Sequence, residues 1–389
     1  MSKKIIAYVG AFQFPYGQAA SKRVKGNILL LESLGYEVIV GHGGDAKEEL
    51  LSLNNDVNIK SYGLGELYSS SNRINRLFNL VFNGGNNTVK WLKQLKCKPD
   101  SVIVYGGFYH YSNKILKYCK ANNIKVIFDV VEWYEPAQMI GGRFGLFYNS
   151  FLIAFKYVYP KANGIIAISS NLGKVFKNSK VIVIPPLLSD KIDTPCLYDD
   201  RTLSLIYAGN IGNKDSLIEI IQIVDKLSLN YKIKLDIFGP NEEEVKSKYN
   251  LRGFTSGVKI HGKVKQEEIN NYIMKADFTI FVRPDTHCNH YGFPSKFVES
   301  LSLGVPVATN LTSDIGLYLK DGYNGFVIEN SKADSIETVI MKMLNLTSED
   351  KMAMKMNAIK TAEESFSSKS LLLRKKVFNF FSDIDYELT

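Results

Sequence analysis

The stretch Arg283–Asn310, RPDTHCNHYGFPSKFVESLSLGVPVATN, decides the fold. A short apolar strand precedes it, and a polar loop then leads to the turn Gly292–Pro294. Ser295 is in place to cap an amphipathic helix that Gly304 closes. The apolar run Val305–Ala308 predicts a second buried strand. This order predicts a strand–helix–strand unit whose polar loop lies at the carboxyl edge of a parallel sheet.

Two charged residues of that helix point to a ligand. Lys296 and Glu299 are three residues apart and therefore share one helix face. The helix start and Lys296 favour a bound phosphate, and Glu299 can accept hydrogen bonds from paired hydroxyls such as those of a ribose. The alternative is a surface Lys–Glu pair on an ordinary helix.

The same alternation of strands and helices covers the whole chain and pauses once, at the polar segment Leu188–Arg201, which predicts a hinge. We predict an α/β protein with two doubly wound, Rossmann-like domains, residues 1–190 and 191–366, facing each other across a cleft. The amphipathic C-terminal helix within 367–389 is expected to pack back on the first domain. The predicted strands are Ile5–Val9, Val38–Val40, Val102–Tyr105, Val126–Val131, Ile165–Ile168, Val181–Ile184, Leu205–Ala208, Lys234–Phe238, Val258–His261, Phe278–Val282, Val305–Ala308 and Gly325–Ile328. The predicted helices are Ala19–Ser33, Ile74–Leu95, Ser112–Ala121, Gly145–Tyr159, Ser216–Leu227, Gln266–Lys275, Ser295–Leu303, Lys332–Leu346 and Leu371–Phe381.

Composition excludes several protein classes. With 389 residues, 45% hydrophobic and 12% aromatic, the chain is neither disordered nor a small disulfide scaffold. No run of about 18 apolar residues occurs, and the opening MSKKIIAYVGAF lacks the apolar stretch of a secretory signal, so we expect a cytoplasmic protein. The net charge of +9 is uneven: residues 1–189 carry +12 and the remainder −3. The basic first half predicts a surface that binds an anionic partner. The alternative is that these charges only keep the protein soluble.

A second loop has the residues of an anion cradle. In Tyr207–Ser216, YAGNIGNKDS, two glycines permit close backbone approach, and a helix starts just after Lys214. A helix N-terminus with one lysine suits a diphosphate. Neither a GxGxxG fingerprint nor a P-loop is present. The alternative is a tight turn with an exposed lysine.

These segments together resemble family 4 glycosyltransferases, which have the GT-B fold and a retaining mechanism. The match is dense over residues 200–330 and thinner before them. It rests on GFPSKFVESLSLGVPVATN, YAGNIGNKDSLIEII, VKIHGKVKQEEINNYIMKADFTIFV, IGLYLKDGYNGFVIE and, near the N-terminus, GQAASKRVKGNILLLESLGYEVIV.

The resemblance implies a nucleotide-diphosphate sugar as donor, no other cofactor and no metal. The only D-x-D, Asp383-Ile384-Asp385, lies close to the C-terminus and is read as solvated. The second domain is expected to bind the donor and the first the acceptor. The implied donor-binding residues are Gly17, Gly209, Asn210, Lys214, Gly262, Arg283, Tyr291, Gly292, Phe293, Pro294, Ser295, Lys296 and Glu299. The candidate catalytic residues are Glu132, Lys214, Lys296 and Glu299.

The sequence departs from the family pattern at two positions. Tyr291 stands where the family has the first of two glutamates, and Asn210 stands where arginine is common. A buried diphosphate needs compensating positive charge. We hypothesise that Lys296, with Lys214, replaces the missing arginine, and Arg283 is the other cation nearby.

The acceptor candidates follow strands of the first domain. Ser21 and Arg23 follow the first strand, in a region that the family uses to close on its substrates, although both can serve structure alone. Glu132 could orient or deprotonate an acceptor hydroxyl, and Trp133 could stack on a sugar. His110 is a third contact candidate, with a structural role as the alternative.

The segment Arg73–Lys98 carries six basic residues and no acid, interleaved with apolar residues. This pattern is typical of an interfacial segment that binds anionic lipid, and would make the protein peripheral on the inner face of the plasma membrane. The alternative is a helix hairpin that covers the sheet and has a solvated basic face.

The combined prediction is a retaining glycosyltransferase of the hexosyl or N-acetylhexosaminyl type, acting on a glycan or lipid-linked acceptor in polysaccharide biosynthesis. A nucleotide-sugar epimerase of the same fold and a non-catalytic two-lobed binding protein are the alternatives. Nucleic acid is not expected as a partner, because it would not explain the helix that carries Lys296 and Glu299, and the missing fingerprint disfavours a dehydrogenase.

Overall fold

The computed structural model describes residues 3–16, 19–53, 57–67, 78–188, 201–212, 214–251 and 253–385. The chain divides into two compact units. Unit 1 combines residues 1–190 with 367–389, and unit 2 covers residues 191–366.

Unit 1 is built on an eight-stranded sheet in the order β3-β4-β2-β1-β5-β6-β7-β8. All of these strands pair in parallel except β3, which is antiparallel to β4. The central strands are buried along almost their full length because helices cover both faces. The strands are β1 (Ile5–Gly10), β2 (Glu37–His42), β3 (Glu48–Leu53), β4 (Val57–Gly63), β5 (Ser101–Tyr105), β6 (Lys125–Val130), β7 (Gly164–Ala167) and β8 (Val181–Val183).

The helices of unit 1 include two π-helical turns, at Asn79–Asn83 and Ala154–Val158. The second turn directly continues the α-helix Leu146–Ile153, and the two together cover most of the predicted helix Gly145–Tyr159. The α-helices are α1 (Ala19–Ser33), α2 (Asn86–Gln94), α3 (Tyr109–Ala121), α4 (Leu146–Ile153) and α5 (Ser170–Lys174).

Two sequence predictions for unit 1 were incomplete. The hairpin of β3 and β4 was missed because β3 lies at the sheet edge and alternates exposed with half-buried positions, so it lacks the buried apolar run expected of a strand. The predicted helix Ile74–Leu95 is interrupted at Gly84 and Gly85, and Gly85 has the left-handed φ of +88°. Residues 74–77 of that helix lie outside the described part of the chain.

Unit 2 has a six-stranded parallel sheet in the order β11-β10-β9-β12-β13-β14. This arrangement confirms the predicted pair of doubly wound parallel sheets. The strands are β9 (Leu203–Ala208), β10 (Ile233–Phe238), β11 (Val258–Gly262), β12 (Phe278–Ile280), β13 (Val307–Thr309) and β14 (Gly325–Val327). The helices are α6 (Leu217–Leu227), α7 (Glu242–Tyr249), α8 (Gln266–Met274), α9 (His287–Tyr291), α10 (Ser295–Ser302), α11 (Ala333–Leu344) and α12 (Ser348–Phe366).

Three of these helices were not predicted. The helix α7 begins with a reciprocal capping box formed by Asn241 and Glu244. The helix α9 is capped by Thr286, whose side chain accepts a hydrogen bond from the Asn289 N–H. The helix α12 has a weak apolar stripe, which explains why periodicity did not find it. The short α9 corrects the expectation of a plain polar loop before Gly292.

The C-terminal helix α13 (Leu371–Asp385) packs on unit 1. Its apolar side chains join the core cluster of the first sheet, and Arg374 donates to the Ser33 carbonyl over 2.8 Å. Asp383 of the D-x-D segment is exposed as expected, whereas Ile384 is fully buried and Asp385 pairs with Lys4 at 2.5 Å.

Within the described residues, every helix is too short or too polar to cross a lipid bilayer.

Candidate functional site

The carboxyl edge of the second sheet changes its connection direction between β9 and β12. After β9 the chain crosses to β10 on one side, and after β12 it crosses to β13 on the other. The loops that follow β9 and β12 therefore diverge and leave a crevice, the usual ligand position in an open α/β sheet. Both loops contain the residues that the sequence singled out.

Lys296 lies in the first turn of α10 and points into this crevice. Its Nζ is 2.5 Å from Asp215 Oδ2, and its side chain is 21% exposed. The ring centroids of Tyr207 and Phe281 lie 4.3 and 5.2 Å from the same Nζ. The ammonium group is therefore held by one carboxylate and two aromatic rings.

The Asp215 carboxylate also lies close to the side chains of Arg283 and Tyr207. Arg283 Nε lies 3.7 Å from Asp215 Oδ1, and the Tyr207 hydroxyl donates to Oδ2 over 2.8 Å. The side chains of Arg283 and Asp215 are 8% and 10% exposed. Two buried cations thus share one buried carboxylate, and the group has an excess positive charge that favours an anion.

Burial and neighbouring charges oppose each other in this cluster. Burial alone would raise the pKa of Asp215, but Lys296 and Arg283 outweigh it and bring the pKa below its ordinary value. Burial lowers the pKa of Lys296, and the nearby Asp215 limits that shift. Burial, with Asp215 next, raises the pKa of Tyr207 far above its usual range. The tyrosine is therefore a neutral hydrogen-bond donor at physiological pH.

Glycine is required where the loops meet. A Cβ on Gly209 would lie 2.8 Å from Lys296 Nζ. Gly239 has φ +121°, and a Cβ there would lie 2.1 Å from the Gly209 carbonyl oxygen. Gly262, φ +73°, accepts from the Gly239 N–H over 2.8 Å. The predicted Gly209 and Gly262 thus support the crevice through their backbones.

Asparagine side chains fix the loop after β12. The fully buried Asn289 donates from Nδ2 to the carbonyls of Lys214 and Pro284, over 3.1 and 2.9 Å. Asn310 both accepts from the Arg283 N–H and donates to the Arg283 carbonyl, over 2.8 and 2.7 Å. Lys214 is therefore tied through its backbone to the loop that carries Arg283. Residue 213 of the first loop lies outside the described residues.

Two predictions at the start of α10, for Phe293 and Ser295, differ from the structure. Phe293 is buried among the rings of Phe297, Tyr318 and Phe366, so its predicted role as a donor contact is corrected to a core role. The residue that caps α10 is Pro294 rather than Ser295, which is the first helical residue and provides no side-chain cap.

The remaining predicted residues of unit 2 lie around the same edge. Tyr291 ends α9 and its ring lies parallel to that of His287 at 6.0 Å. The Gly292 carbonyl accepts from the Ser313 hydroxyl. Glu299 is half-buried one turn after Lys296, and Asn210 is exposed while its carbonyl accepts from the Tyr207 hydroxyl over 3.4 Å.

In unit 1, the structure corrects the expectation that Arg23 contacts an acceptor. The guanidinium is 4% exposed and pairs with the fully buried Asp129, with Nη2 2.6 Å from Oδ1. Tyr8 donates to the same carboxylate over 2.5 Å, and Arg23 also donates to the Ile184 carbonyl over 3.0 Å. Arg23 is therefore engaged within the core, where the loss of either partner would leave an uncompensated buried charge, and no face of its guanidinium is left for a ligand.

Ser21 also has a structural position. It is 2% exposed, and its hydroxyl lies 3.1 and 2.9 Å from the carbonyls of Gln13 and Pro15. It therefore secures the loop after β1 and does not face a ligand directly, which corrects its predicted role. Gly17, predicted as a donor contact, lies outside the described residues.

Glu132, Trp133 and His110 are half-buried. Glu132 and Trp133 directly follow β6, and the Trp133 ring meets that of Phe155 edge-on at 4.8 Å. Burial first, and Glu132 second, raise the pKa of Tyr134 well above its ordinary value. Burial, with Lys114 next, lowers the pKa of His110, so the imidazole is neutral at physiological pH.

In the described part of the basic segment Arg73–Lys98, the lysines are exposed, two apolar residues of the helix α2 are buried, and Phe78 is 56% exposed. Trp91 and Leu92 belong to the core of unit 1, and the Trp91 ring lies 5.3 Å from that of Tyr62. Lys90 and Lys93 are exposed on the same helix, and residues 73–77 lie outside the described part. The helix α2 therefore covers the sheet with a solvated basic face, and the binding of anionic lipid by this segment stays a prediction.

Sequence reasoning missed the two residues that organise the crevice, Asp215 and Tyr207. Neither residue was predicted as a site residue. The available signal was an acidic residue directly after Lys214 in a glycine-rich loop, an unusual place for a negative charge in a loop expected to bind an anion.

Comparison with known proteins identifies what the chain is similar to. Residues 196–361 match the family described as "Glycosyl transferases group 1". An uncharacterized glycosyltransferase of Methanocaldococcus jannaschii, MJ1178, is 22% identical over 199 residues, which are 49% of this chain and 52% of that protein. The alignment thus spans about half the length of this curated relative.

Solved structures are similar over almost the whole chain. Sucrose-phosphate synthase from Thermosynechococcus elongatus has a TM-score of 0.69 at 12% identity, with 98% of this chain and 100% of that chain covered. HepE of Anabaena in complex with UDP-glucose has a TM-score of 0.66 at 12% identity, with 97% and 99% covered. At these identities the likeness establishes the fold, which is GT-B as predicted.

Proposed function

We propose, from the match of residues 196–361 to the family described as "Glycosyl transferases group 1", that the protein transfers a sugar from a nucleotide-diphosphate donor to a hydroxyl acceptor. The observation that carries the proposal is the cluster of Lys296, Arg283 and Asp215 at the switch point of the second sheet. It supplies buried positive charge at the edge where such sheets bind ligands.

The donor diphosphate is assigned to this cluster. Breaking the bond between the sugar and the diphosphate leaves a negative charge on the departing phosphate oxygen. Lys296, Arg283 and the free N–H groups at the start of α10 are donors that can stabilise that charge as it develops. Glu299, one turn further on, is assigned to a ribose hydroxyl. In this proposal the side chains neutralise the diphosphate, and no metal ion is needed.

The acceptor is assigned to unit 1. Glu132 is placed after a central strand and is proposed to orient the attacking hydroxyl or to accept its proton. Trp133 offers a ring for stacking on a sugar face. We assign retention of configuration, with the acceptor hydroxyl attacking the sugar on the face from which the diphosphate leaves.

The substrate classes are proposed from a structural relative and from the family resemblance. HepE was solved with UDP-glucose, which favours a UDP-hexose or UDP-N-acetylhexosamine as the first donor to test here. A glycan or lipid-linked intermediate of polysaccharide biosynthesis is the proposed acceptor, as the family resemblance suggests.

Association with an anionic membrane is proposed through Arg73–Lys98, and a second segment of unit 1 has the same basic and apolar character. Between residues 136 and 161 the chain has no acidic residue, and Arg143, Lys156 and Lys161 are exposed. Phe144 is 92% exposed in this segment. The other large apolar side chains exposed there are Ile140, Leu146, Ile153 and Tyr157. Apolar side chains among basic ones match an anionic lipid surface.

The donor proposal is tested by thermal stabilisation with a panel of nucleoside diphosphates and nucleotide sugars, with and without EDTA. We expect a raised Tm with one nucleoside diphosphate and its sugars, unchanged by EDTA. Release of that diphosphate should then depend on an added acceptor. Turnover of the donor without any acceptor would instead favour an epimerase, and no stabilisation by any member of the panel would contradict the proposal.

A further inference from the structure

The crevice of unit 2 already contains an anion of its own. Asp215 Oδ2 contacts Lys296 Nζ at 2.5 Å, and Asp215 Oδ1 lies 3.7 Å from Arg283 Nε. The proposed diphosphate needs the same two cations. The carboxylate is 10% exposed, so solvent does little to weaken these interactions.

From this geometry we infer that Asp215 is a built-in counter-ion of the donor site, which keeps Lys296 charged and in place while the site is empty and competes with the diphosphate when it binds. The inference rests on the proposed function and adds a residue that sets the affinity of that site. Asp215 acts through Lys296 and is a positioning residue rather than a catalytic one.

The neighbours of Asp215 hold the carboxylate in this position. The Tyr207 hydroxyl donates to Oδ2 over 2.8 Å, and the Tyr207 ring also lies 4.3 Å from Lys296 Nζ. Gly209 leaves room for the ammonium group, because a Cβ there would lie 2.8 Å from Nζ. The ammonium group thus lies between the Asp215 carboxylate and the Tyr207 ring, and Gly209 leaves space beside it.

Two opposing effects on an incoming anion follow from this arrangement. A unit negative charge a few ångströms from the diphosphate repels it, which weakens binding of both donor and product. The same charge stabilises the protonated form of Lys296, which the anion requires. At a pH where Lys296 is protonated in either case, repulsion is the effect that remains, so the carboxylate limits affinity and favours release of the nucleoside diphosphate.

The charges that act on the pair come from four elements. The pKa of Lys296 depends on Asp215, on Arg283 in the loop after β12 and on Glu299 of α10. Asp215 also interacts with Arg283, with Tyr207 of β9 and with Tyr249 at the end of α7. Glu299 and Arg283 are unchanged in the experiment below, so a difference between variants reports on Asp215.

The experiment measures binding of inorganic pyrophosphate and of the nucleoside diphosphate selected by the thermal panel, by calorimetry at pH 6.5. The test variant is Asp215→Asn, which removes the charge but keeps an oxygen that can accept from Lys296. The control is Asp285→Asn, which removes an exposed carboxylate from the loop after β12. We expect about tenfold tighter binding by Asp215→Asn and a change of less than about twofold in the control.

A pH series separates this role from a purely structural one. Because Asp215 supports the charge of Lys296, the loss of affinity on raising the pH should begin at a lower pH in Asp215→Asn than in the wild type. In turnover, the same variant should show a lower donor KM and stronger product inhibition, with a lower kcat if release limits the rate.

The outcomes are distinguishable. Wild-type protein that binds no nucleoside diphosphate contradicts the proposed function itself. Wild-type binding with equal or weaker binding by a folded Asp215→Asn, or an unshifted pH profile, overturns the counter-ion inference alone. If Asp215→Asn does not fold by circular dichroism, Asp215→Ser removes the same charge and should tighten binding likewise. If neither variant folds, Asp215 is a structural requirement and the inference is wrong.

Discussion

Asp215 Oδ2 and Lys296 Nζ lie 2.5 Å apart although the two residues are 81 positions apart in the chain. The loop after β9 and the first turn of α10 are therefore joined by one buried ion pair. Because Arg283 adjoins the same carboxylate, this contact defines where the protein offers positive charge to a ligand.

Replacing Lys296 by alanine tests the role of its charge. We expect Lys296→Ala to reduce kcat/KM for the donor by roughly 10²-fold, because the departing diphosphate loses a preorganised cation. Steady-state kinetics at varied donor concentration measure the effect, and circular dichroism verifies the fold. Lys342→Ala, at an exposed lysine of α11, is the control with unchanged kinetics. Wild-type donor affinity and turnover in Lys296→Ala would refute the assignment.

The pH dependence of donor binding should reflect the same lysine. Burial lowers the pKa of Lys296 below the ordinary 10.5. Binding needs the protonated form, so affinity should be full below the Lys296 pKa and fall as the pH rises through it. A calorimetric series in nucleoside diphosphate should show this loss beginning below pH 10.5. Affinity that stays constant to that pH would show that Lys296 does not hold the anion.

Glu132 is predicted to act on the acceptor rather than on the donor. We expect Glu132→Gln to lower kcat by roughly 10²–10⁴-fold, the usual contribution of a general base, with donor KM little changed. Glu135→Gln, in the same loop, is the matched control. A Glu132→Gln enzyme with wild-type kcat over the acceptor range would remove Glu132 from the mechanism.

The buried pair of unit 1 should matter for stability. In Asp129→Asn the Arg23 guanidinium keeps its charge but loses its counter-ion, at a cost of roughly 3–5 kcal/mol in the free energy of unfolding. Urea denaturation followed by circular dichroism measures this loss. The exposed pair of Lys4 and Asp385 provides the comparison, since Asp385→Asn should cost less than about 1 kcal/mol. Equal costs would mean that the buried pair is not a structural determinant.

Membrane docking is predicted to depend on the exposed segment of residues 136–161 in unit 1. The double variant Phe144→Ser with Leu146→Ser should lose most co-sedimentation with anionic liposomes, and high salt should detach the wild-type protein. Leu229→Ser, which removes a 72% exposed leucine from unit 2, should sediment as the wild type does. Wild-type protein that fails to sediment at low salt would contradict the docking proposal.

The sequence predicted most of the secondary structure because parallel strands buried on both faces leave continuous apolar runs, as in Ile5–Gly10 and Leu203–Ala208. It missed the edge strand Glu48–Leu53, which alternates exposed with half-buried positions and begins with two glutamates. The order of strand, loop and helix in the sequence was enough to place Lys296 at the start of a helix, beside the carboxyl edge of the second sheet.

Side-chain partners could not be obtained in the same way. Arg23 appeared to be an acceptor contact because its partner Asp129 is 106 positions away and no local pattern connects them. Phe293 appeared to be a donor contact because it lies in a motif, whereas its surroundings include Phe366 from α12, a helix that periodicity did not predict. Asp215 was missed for the same reason, since its partners Arg283 and Lys296 come from another loop and helix.

The central claim is that the second unit binds the diphosphate of a sugar nucleotide at the Lys296 cluster, and a crystal structure with a bound nucleotide sugar tests it most directly. The account predicts diphosphate oxygens within hydrogen-bond distance of Lys296 Nζ and of the Arg283 guanidinium. An empty crevice under saturating donor, or a donor coordinated to a divalent ion at another place, would contradict it.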